Sequence, residues 1–393
     1  MLKYLFYKDT FFATIAVFVV LGLLAFVPLN FHILDPFQMA MRDFSFNDLA
    51  WSEMGKAKNA GVDKDIVIVN IGNADRSEIA AILSRVSEAK PKVIGVDVLL
   101  ESPRGPGYDS LLQNVIKANK NIVLANRISG EHNETDYKAN YFAKDGTTAG
   151  FANFVGEEYG VMRHFVPARE HDGHELNAFA AEVAKLANAK SFDKLKNRHK
   201  KAEVINYSRY ADDFLVIEGT DLFNGGHVSV LQNKVVLLGY VSHNTTDILD
   251  KHYTPMNNIT TGRSIPDMNG VFIHANIVRM ILDGNYISHL PAWLNWLLAF
   301  VLGWLHMAIF IYFYIHKHIW FHLAAKAAQL VLAVFFIYAG LLLFSKANLQ
   351  INMTPTLAVV LLAVDVLYFY EAFVVWLQTK KKYKSIFYHE THH

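Results

Sequence analysis

Two short apolar stretches near the beginning of the chain decide its fold. Residues 65–71 read Asp-Ile-Val-Ile-Val-Asn-Ile, and residues 91–98 read Pro-Lys-Val-Ile-Gly-Val-Asp-Val. Short runs rich in β-branched residues are typical of strands that are buried on both faces of a sheet. The two stretches therefore predict two core strands.

The residues between and after these stretches predict helices. Asp75 and Glu78 have the spacing of a capping box, and apolar residues follow at helical spacing until Pro91. A second helical pattern covers residues 109–118, and another strand pattern covers residues 122–125. Strands that alternate with helices form a mostly parallel sheet flanked by helices. The predicted fold class is therefore α/β.

The same alternation returns in the later half of the domain. Residues 175–187 predict a helix, and residues 235–239 (Val-Val-Leu-Leu-Gly) predict a buried strand. A further helix, which Gly284 can cap, is predicted by apolar residues at helical spacing: Ile273, Ile277, Met280 and Ile281. We interpret the less regular stretches as insertions into one domain: residues 129–148 and 257–267.

Composition excludes several classes of function. Hydrophobic residues make up 52% of the chain, more than in an ordinary soluble protein, and the excess lies in apolar runs near both ends. The formal net charge of +1 gives no basic field, so no nucleic acid partner is predicted. The chain has no cysteine, which excludes a thiolate nucleophile, a cysteine metal site and any disulfide.

Four apolar runs are long enough to cross a bilayer as helices. We assign them, in order, to residues 11–29, 291–316, 326–345 and 354–378. The first run follows Lys3 and Lys8 as a signal peptide would, but it ends in Phe-Val-Pro-Leu rather than in small residues that mark cleavage. We therefore predict an uncleaved anchor.

The distribution of lysine residues predicts the orientation, because basic residues concentrate in cytoplasmic segments. Four spans place three lysine-bearing segments on one side: residues 1–10, the turn with Lys317 and Lys326, and the tail 379–393. Both termini are therefore predicted to be cytoplasmic, and residues 30–290 to form the domain outside. The first partner of such a chain is the lipid bilayer.

Several further segments carry a resemblance together with the two opening strands. They are Gly150-Phe-Ala-Asn153, Gly160-Val-Met-Arg163, Lys234-Val-Val-Leu-Leu-Gly239, Asp247, Tyr253-Thr-Pro255 and Gly270-Val-Phe-Ile-His-Ala-Asn276. In order and spacing they resemble the CHASE-type extracellular sensory domains of bacteria, second subtype. One membrane helix before the domain and three after it also resemble that family's layout. The resemblance implies that a periplasmic domain, held by the inner membrane, receives a signal.

The chain departs from that family in two respects. In the family a kinase or a nucleotide cyclase often follows the last membrane helix, whereas here only residues 378–393 follow. We therefore expect a sensory protein that is not an enzyme and that acts through a membrane-protein partner or a homo-oligomer. Asn70 and Asn73 stand where the family commonly has acidic residues, so a role assigned to those acids does not transfer.

Polar residues follow the predicted strands at the edge where open α/β sheets bind ligands. We predict that they form a small-molecule crevice: Asn70, Asn73, Asp97, Glu101, Ser242, His243, Asp247 and His274. The alternative is that these side chains cap helices and satisfy loop backbone, as Asn, Asp and Ser commonly do. The sequence leaves the identity of the ligand open.

No metal, cofactor or catalytic site is predicted. The chain has 18 histidines but no HExxH, and it has no GxSxG, no P-loop and no GxGxxG after a strand. His252 could approach His243 and His274, and His171 lies three residues before His174. Solvent-facing histidine is the simpler interpretation of both sets.

Two acidic residues lie inside the last apolar run. Asp365 and Glu371 interrupt residues 354–378, where a carboxylate near the centre of a span costs at least about 2.5 kcal/mol. We predict that they form a polar contact with the membrane helix of a partner. The alternative is a protonated Asp365 that bonds to a hydroxyl such as that of Tyr338 or Thr354.

A second function remains open from the sequence. The chain could be a structural or accessory subunit of a larger envelope membrane complex, with the outer domain docking another protein. Such a surface would be broad and apolar or aromatic. Residues 137–142 (Tyr-Lys-Ala-Asn-Tyr-Phe) are the candidate for it.

Overall fold

The computed structural model describes residues 2–26, 45–57, 61–129, 136–144, 146–154, 160–223, 226, 228–242, 244, 247–258, 265–316, 321–381 and 383–387. By its internal contacts the chain divides into two units. One consists of Met1–Asp35 with Ser288–His393 and holds the long apolar helices, and the other, Pro36–Ile287, is the α/β domain.

The strands are short, as expected for an α/β domain. In chain order they are β1 (Ile66–Asn70), β2 (Val93–Val96), β3 (Ile122–Ser129), β4 (Asp136–Lys138), β5 (Thr148–Phe151), β6 (His164–Phe165), β7 (Ala168–His171), β8 (His174–Asn177), β9 (Glu203–Val204), β10 (Leu215–Glu218), β11 (Val235–Gly239), β12 (Lys251–His252), β13 (Met268–Asn269), β14 (Ser288–His289) and β15 (Leu349–Gln350).

The α-helices alternate with these strands in the domain and follow them in the helical unit. They are α1 (Lys8–Ala25), α2 (Leu49–Ser52), α3 (Arg76–Glu88), α4 (Pro106–Ala118), α5 (Phe179–Ala187), α6 (Ala189–Lys196), α7 (Gly219–Phe223), α8 (Gly270–Asp283), α9 (Ala292–Ile315), α10 (Phe321–Ala347) and α11 (Thr354–Lys381). Short 3-10 helices are Leu2–Phe6, Phe46–Asp48, Ala211–Asp213 and Val228–Leu231.

In the part of the chain that the structure describes, seven strands form the central sheet, in the order β10-β1-β11-β2-β3, with β4 and β5 both paired to β3. Every pairing in this sheet is parallel except that of β4 with β3, so the predicted mostly parallel sheet is confirmed. The late strand β11 lies between β1 and β2, and all three are buried along their whole length. Their carboxyl ends therefore meet at one edge of the sheet.

Helices cover both faces of the sheet. On one face α3 and α4 close a core that includes Val69, Leu83 and Leu238. On the other face α5 and α8 pack together and against the strands. Gly95 permits this contact, because a Cβ there would lie 2.6 Å from Leu237 Cδ2 and 2.9 Å from the Phe179 ring.

The local helix predictions hold at two termini and are wrong at a third. Asp75 caps α3 through the backbone N–H groups of Ser77 and Glu78, and Gly284 ends α8 with a φ of 64°. The helix predicted over residues 175–187 begins only at Phe179. Residues 174–177 pair instead with β7 as a hairpin, because its cross-strand hydrogen bonds outweigh the helical pattern of the segment.

Within the described residues, four helices are long and apolar enough to span a membrane: α1, α9, α10 and α11. Helices α9 and α11 begin within one residue of the predicted spans, and α10 begins five residues earlier than predicted. Helix α1 starts at Lys8 rather than at residue 11, and part of the predicted first span, residues 27–29, lies outside the described residues. The predicted boundaries at 30 and 290 stay predictions.

Candidate functional site

Asn70 joins three segments at the carboxyl edge of the sheet. Its side-chain oxygen accepts the N–H groups of Gly72 (3.0 Å) and Val241 (2.9 Å), and its amide nitrogen donates to Glu218 Oε2 at 2.9 Å. The residue is only 2% exposed. These bonds hold the ends of β1 and β10 to the segment after β11, which is the structural role that Asn commonly has in loops.

Asp97 and His274 lie close to each other at the same edge of the sheet as Asn70. Asp97 follows β2 with its side chain 17% exposed, and its Oδ2 lies 3.9 Å from Nε2 of His274 in the second turn of α8. His274 is 4% exposed, and its ring stacks on Phe154 at 4.7 Å between centroids. Phe179 closes the imidazole from another side at 5.1 Å.

Asp250 and His252 complete the arrangement. Asp250 has a φ of 57°, and its carbonyl oxygen accepts the Gly270 N–H at 3.1 Å. A Cβ on Gly270 would lie 3.4 Å from both carboxylate oxygens of Asp250. The His252 ring packs edge-on against Phe154 at 4.9 Å. We call the five residues Asp97, Phe154, Asp250, His252 and His274 the acid–imidazole cluster.

The electrostatics of this cluster are unusual because its acids lack a basic partner. Burial raises the pKa of Asp97 to about 7. Burial, and then the charge of Asp97, raises the pKa of Asp250 to about 6, although the Gly270 N–H offsets part of this effect. Among the described residues, no Lys or Arg side chain forms an ion pair with either carboxylate.

The imidazoles of the cluster cannot neutralise these acids. Burial lowers the pKa of His274 to about 3, an effect that the Ala152 backbone offsets only in part. Burial and the neighbouring His274 also lower the pKa of His252. Near neutral pH the cluster therefore holds neutral imidazoles and one or two negative charges.

The other predicted crevice residues have separate environments. Asn73 and Glu101 are exposed, and Glu101 Oε1 lies 4.0 Å from Arg127 Nη1. Ser242 donates to the carbonyl oxygens of Asn244 and Asp247. Asp247 accepts the hydroxyl of Tyr240, which lowers the pKa of that carboxyl. His243 lies outside the described residues.

Sequence reasoning found part of this cluster. It placed Asp97 and His274 in one crevice, and it considered His252 only as a metal ligand. It missed Asp250 and Phe154, which lie in irregular segments without a strand or helix pattern. Among the described residues, no group of three or more His, Asp or Glu side chains converges as metal ligands would.

Comparison with protein families matches residues 13–313 to the CHASE2 domain, over well more than half of the chain. The chain belongs to the CHASE2 family. Members of this family are CHASE-type extracellular sensory domains, which confirms the resemblance seen in the sequence. No curated protein and no solved structure matches the chain.

The membrane helices of this CHASE2 protein carry a line of polar contacts between α10 and α11. Lys326 Nζ lies 2.9 Å from both carboxylate oxygens of Asp365. On one side of this pair His322 bonds to Tyr368 (2.7 Å), and on the other Gln329 donates to backbone carbonyls of α11. We call these contacts the polar ladder.

The polar ladder corrects the predicted environment of Asp365. The suggested bond to Tyr338 or Thr354 is replaced by an ion pair with Lys326, because the two helices run antiparallel and set these residues side by side. Glu371 is not part of the ladder. It accepts the hydroxyl of Tyr314 on α9 instead.

The aromatic stretch 137–142 is not the exposed patch that was predicted. Phe142 is 2% exposed and belongs to the core of the CHASE2 domain. The Tyr137 hydroxyl accepts the side-chain N–H of Asn126, and Lys144 Nζ lies 3.8 Å from the Tyr141 ring. These contacts turn the stretch toward its own domain.

Asp9, which sequence reasoning overlooked, ties the amino terminus to the segment after α11. Its carboxylate accepts the Tyr370 hydroxyl (2.9 Å), the Ser385 hydroxyl (3.1 Å) and the Ile386 N–H (2.8 Å). Phe387 follows at 3% exposure, packed near the Tyr370 ring. A single Asp at the start of an apolar helix gave no signal for this contact.

Proposed function

We propose that this CHASE2 protein is a sensor of the bacterial inner membrane with a periplasmic domain and cytoplasmic termini. In this proposal the acid–imidazole cluster receives a small-molecule signal, and the membrane helices pass it to a partner membrane protein. We assign the chain no catalytic role. The observation that supports a partner protein is the half-exposed ion pair of the polar ladder.

The sequence assigned Lys326 to a cytoplasmic turn, but the residue lies inside α10, so we place the ion pair within the bilayer, where it needs a polar neighbour. The side chains of Lys326 and Asp365 are 55% and 49% exposed, and the helices that carry them are otherwise apolar. Charged groups in membrane spans are costly against lipid and commonly face protein. A transmembrane helix with hydrogen-bonding side chains, packed over the groove between α10 and α11, fits this surface.

The function as an accessory subunit has less support. Its candidate docking surface at residues 137–142 is packed against the domain that carries it. The carboxylates of the acid–imidazole cluster instead form a compact polar site, which is typical of recognition of a small molecule. We therefore propose reception of a ligand as the role of the domain.

The partner can be tested in native membranes by chemical cross-linking. The double substitution Lys326→Leu with Asp365→Leu removes the ion pair without changing net charge. We expect it to abolish cross-links to a second protein, whereas Leu361→Ala, at an exposed apolar position of α11, should retain them. Unchanged cross-links in the double variant, or cross-links only between copies of this chain, would reject a separate partner at this surface.

A further inference from the structure

We propose that the acid–imidazole cluster binds a small organic cation that carries a primary ammonium group. The inference rests on the proposed sensory function and names the chemical class of its ligand. The first observation is that the two carboxylates of the cluster have no basic partner among the described residues, since no Lys or Arg there forms an ion pair with either acid. Asp97 lies 3.9 Å from His274, whose ring stacks on Phe154. Both the Phe154 ring and the Asp250 carboxylate lie against Gly270.

A buried imidazole atom without a partner provides the second, independent observation. His274 is 4% exposed, its Nε2 faces Asp97 Oδ2 at 3.9 Å, beyond hydrogen-bond distance, and among the described residues its Nδ1 has no hydrogen-bond partner. A buried polar atom normally has a partner, because leaving it unpaired costs free energy. Since the imidazole is neutral, one of its ring nitrogens is an acceptor for an N–H donor.

A primary ammonium group matches these acceptors. It carries three N–H donors, and the cluster offers two carboxylates and a neutral imidazole. The Phe154 ring, packed between His252 and His274, adds an aromatic surface that attracts a cation. The Asp250 carboxylate lies against Gly270, which withdraws it partly from water, but the residue as a whole is exposed, so the site opens to solvent on its side.

A metal ion fits the same residues less well. Transition metals require three or more His, Asp or Glu ligands that converge on one point, and the described residues contain no such group. An ammonium ion needs no such convergence, because one N–H donated to a single carboxylate holds it, while the second carboxylate and the aromatic ring attract it over longer distances. It gains from charge neutralisation, N–H donation and contact with an aromatic ring, which are the features that this cluster presents.

The test uses the purified full-length protein in detergent. The probes are n-butylamine and 1,4-diaminobutane, with 1-butanol as the neutral control, and binding is read from the thermal unfolding midpoint and from calorimetry. At pH 8 we expect the amines to bind and to raise the midpoint, while 1-butanol does not. At pH 5 the affinity should fall about tenfold, because both acids then retain their protons.

Matched variants locate the binding site. Asp97→Asn should weaken amine binding about tenfold, and Asp250→Asn should weaken it about threefold because Asp250 is more exposed. Glu101→Gln, an exposed carboxylate in the same segment as Asp97, should leave the affinity unchanged. We expect Asp97→Asn to fold well, since it removes an uncompensated charge, so its loss of binding cannot be attributed to misfolding.

Three outcomes would overturn the ammonium site. They are absence of amine binding by the native protein, amine binding by Asp97→Asn within twofold of the native affinity, and Asp97-dependent binding of Zn²⁺ or Mn²⁺ but not of amines. Because the binding test needs no partner, it is independent of the cross-linking test. Loss of cross-links without loss of amine binding, or the reverse, shows which inference has failed.

Discussion

Asp97 and Asp109 are two carboxylates of the same domain with opposite surroundings. Asp109 in α4 accepts the guanidinium of Arg76 and the N–H groups of Arg104 (2.8 Å) and Gly105 (3.0 Å). Burial alone would raise the pKa of Asp109, but the bonds to Arg76 and to the two N–H groups lower it below its usual value. The pKa of Asp97 moves the other way, to about 7.

The difference in surroundings distinguishes a carboxylate with a structural role from one that is available for function. A carboxylate with a complete set of donors stabilises the fold and has nothing left to offer a ligand. A carboxylate that the fold withdraws from water without a basic partner lowers stability when it ionises. Proteins tolerate such groups most often at functional sites. Asp97 is therefore the better candidate for contact with a signal.

The largest expected effect comes from breaking the satisfied pair. In Arg76→Met, Asp109 loses its buried guanidinium partner, and the thermal unfolding midpoint should fall by roughly 10 °C. The control is Arg85→Met, which removes an exposed pair with Glu88 in the same helix and should change the midpoint little. Equal midpoints for the two variants would contradict the structural role of Asp109.

An intermediate effect is expected at Asp97, and it depends on pH. The pKa of about 7 in the folded protein lies above the unfolded value near 3.8, so the folded state holds a proton that the unfolded chain releases. Stability from this group is present below about pH 4 and is lost as the pH rises to 7. Asp97→Asn should therefore raise the midpoint by roughly 5 °C at pH 8 and leave it unchanged below pH 4.

The control for this pH dependence is Glu101→Gln. Glu101 is exposed and lies near Arg127, so its replacement should leave the pH profile of the native protein intact. Thermal unfolding of both variants between pH 4 and pH 8 provides the comparison. A profile of Asp97→Asn that is parallel to that of the native protein would show that Asp97 is not the titrating group.

The smallest expected effect is at Asp9 in the helical unit. It tests whether the hydrogen bonds to this carboxylate stabilise the local structure, as those to Asp109 do. Asp9 accepts three donors, two of them from the segment after α11. Asp9→Asn weakens these bonds, and we expect trypsin to cleave after the exposed Lys384 about five times faster. Mass spectrometry of timed digests measures this rate. In the control Asp365→Asn, the substituted residue has no contact with that segment, so trypsin should cleave this variant at the native rate.

The sequence predicted the elements of the fold better than their arrangement. The strands around residues 66–71 and 93–96 and the cap at Asp75 follow from local patterns. The position of β11 between β1 and β2 does not, because the 138 residues between β2 and β11 (97–234) leave many orders of strands possible. That position sets which loops are neighbours, and it is the reason why Asp97 faces segments far along the chain.

The candidate site shows the same division. Asp97 follows a recognisable strand, so the edge rule for α/β sheets found it. Asp250 and Phe154 lie in irregular segments, and only the packing of β12, β13 and α8 brings them to His274. Asn70 satisfied the same rule, yet its amide is fully occupied by backbone and Glu218.

By itself the sequence determined four apolar helices long enough to span a membrane, an α/β sensory domain and the family to which the chain belongs. These follow from composition, periodicity and the order of motifs, which are local properties of the chain. The tertiary structure alone decided which polar groups are satisfied. Burial and hydrogen bonding depend on neighbours distant in sequence, so only the folded chain distinguishes the satisfied Asp109 and Asn70 from the uncompensated Asp97.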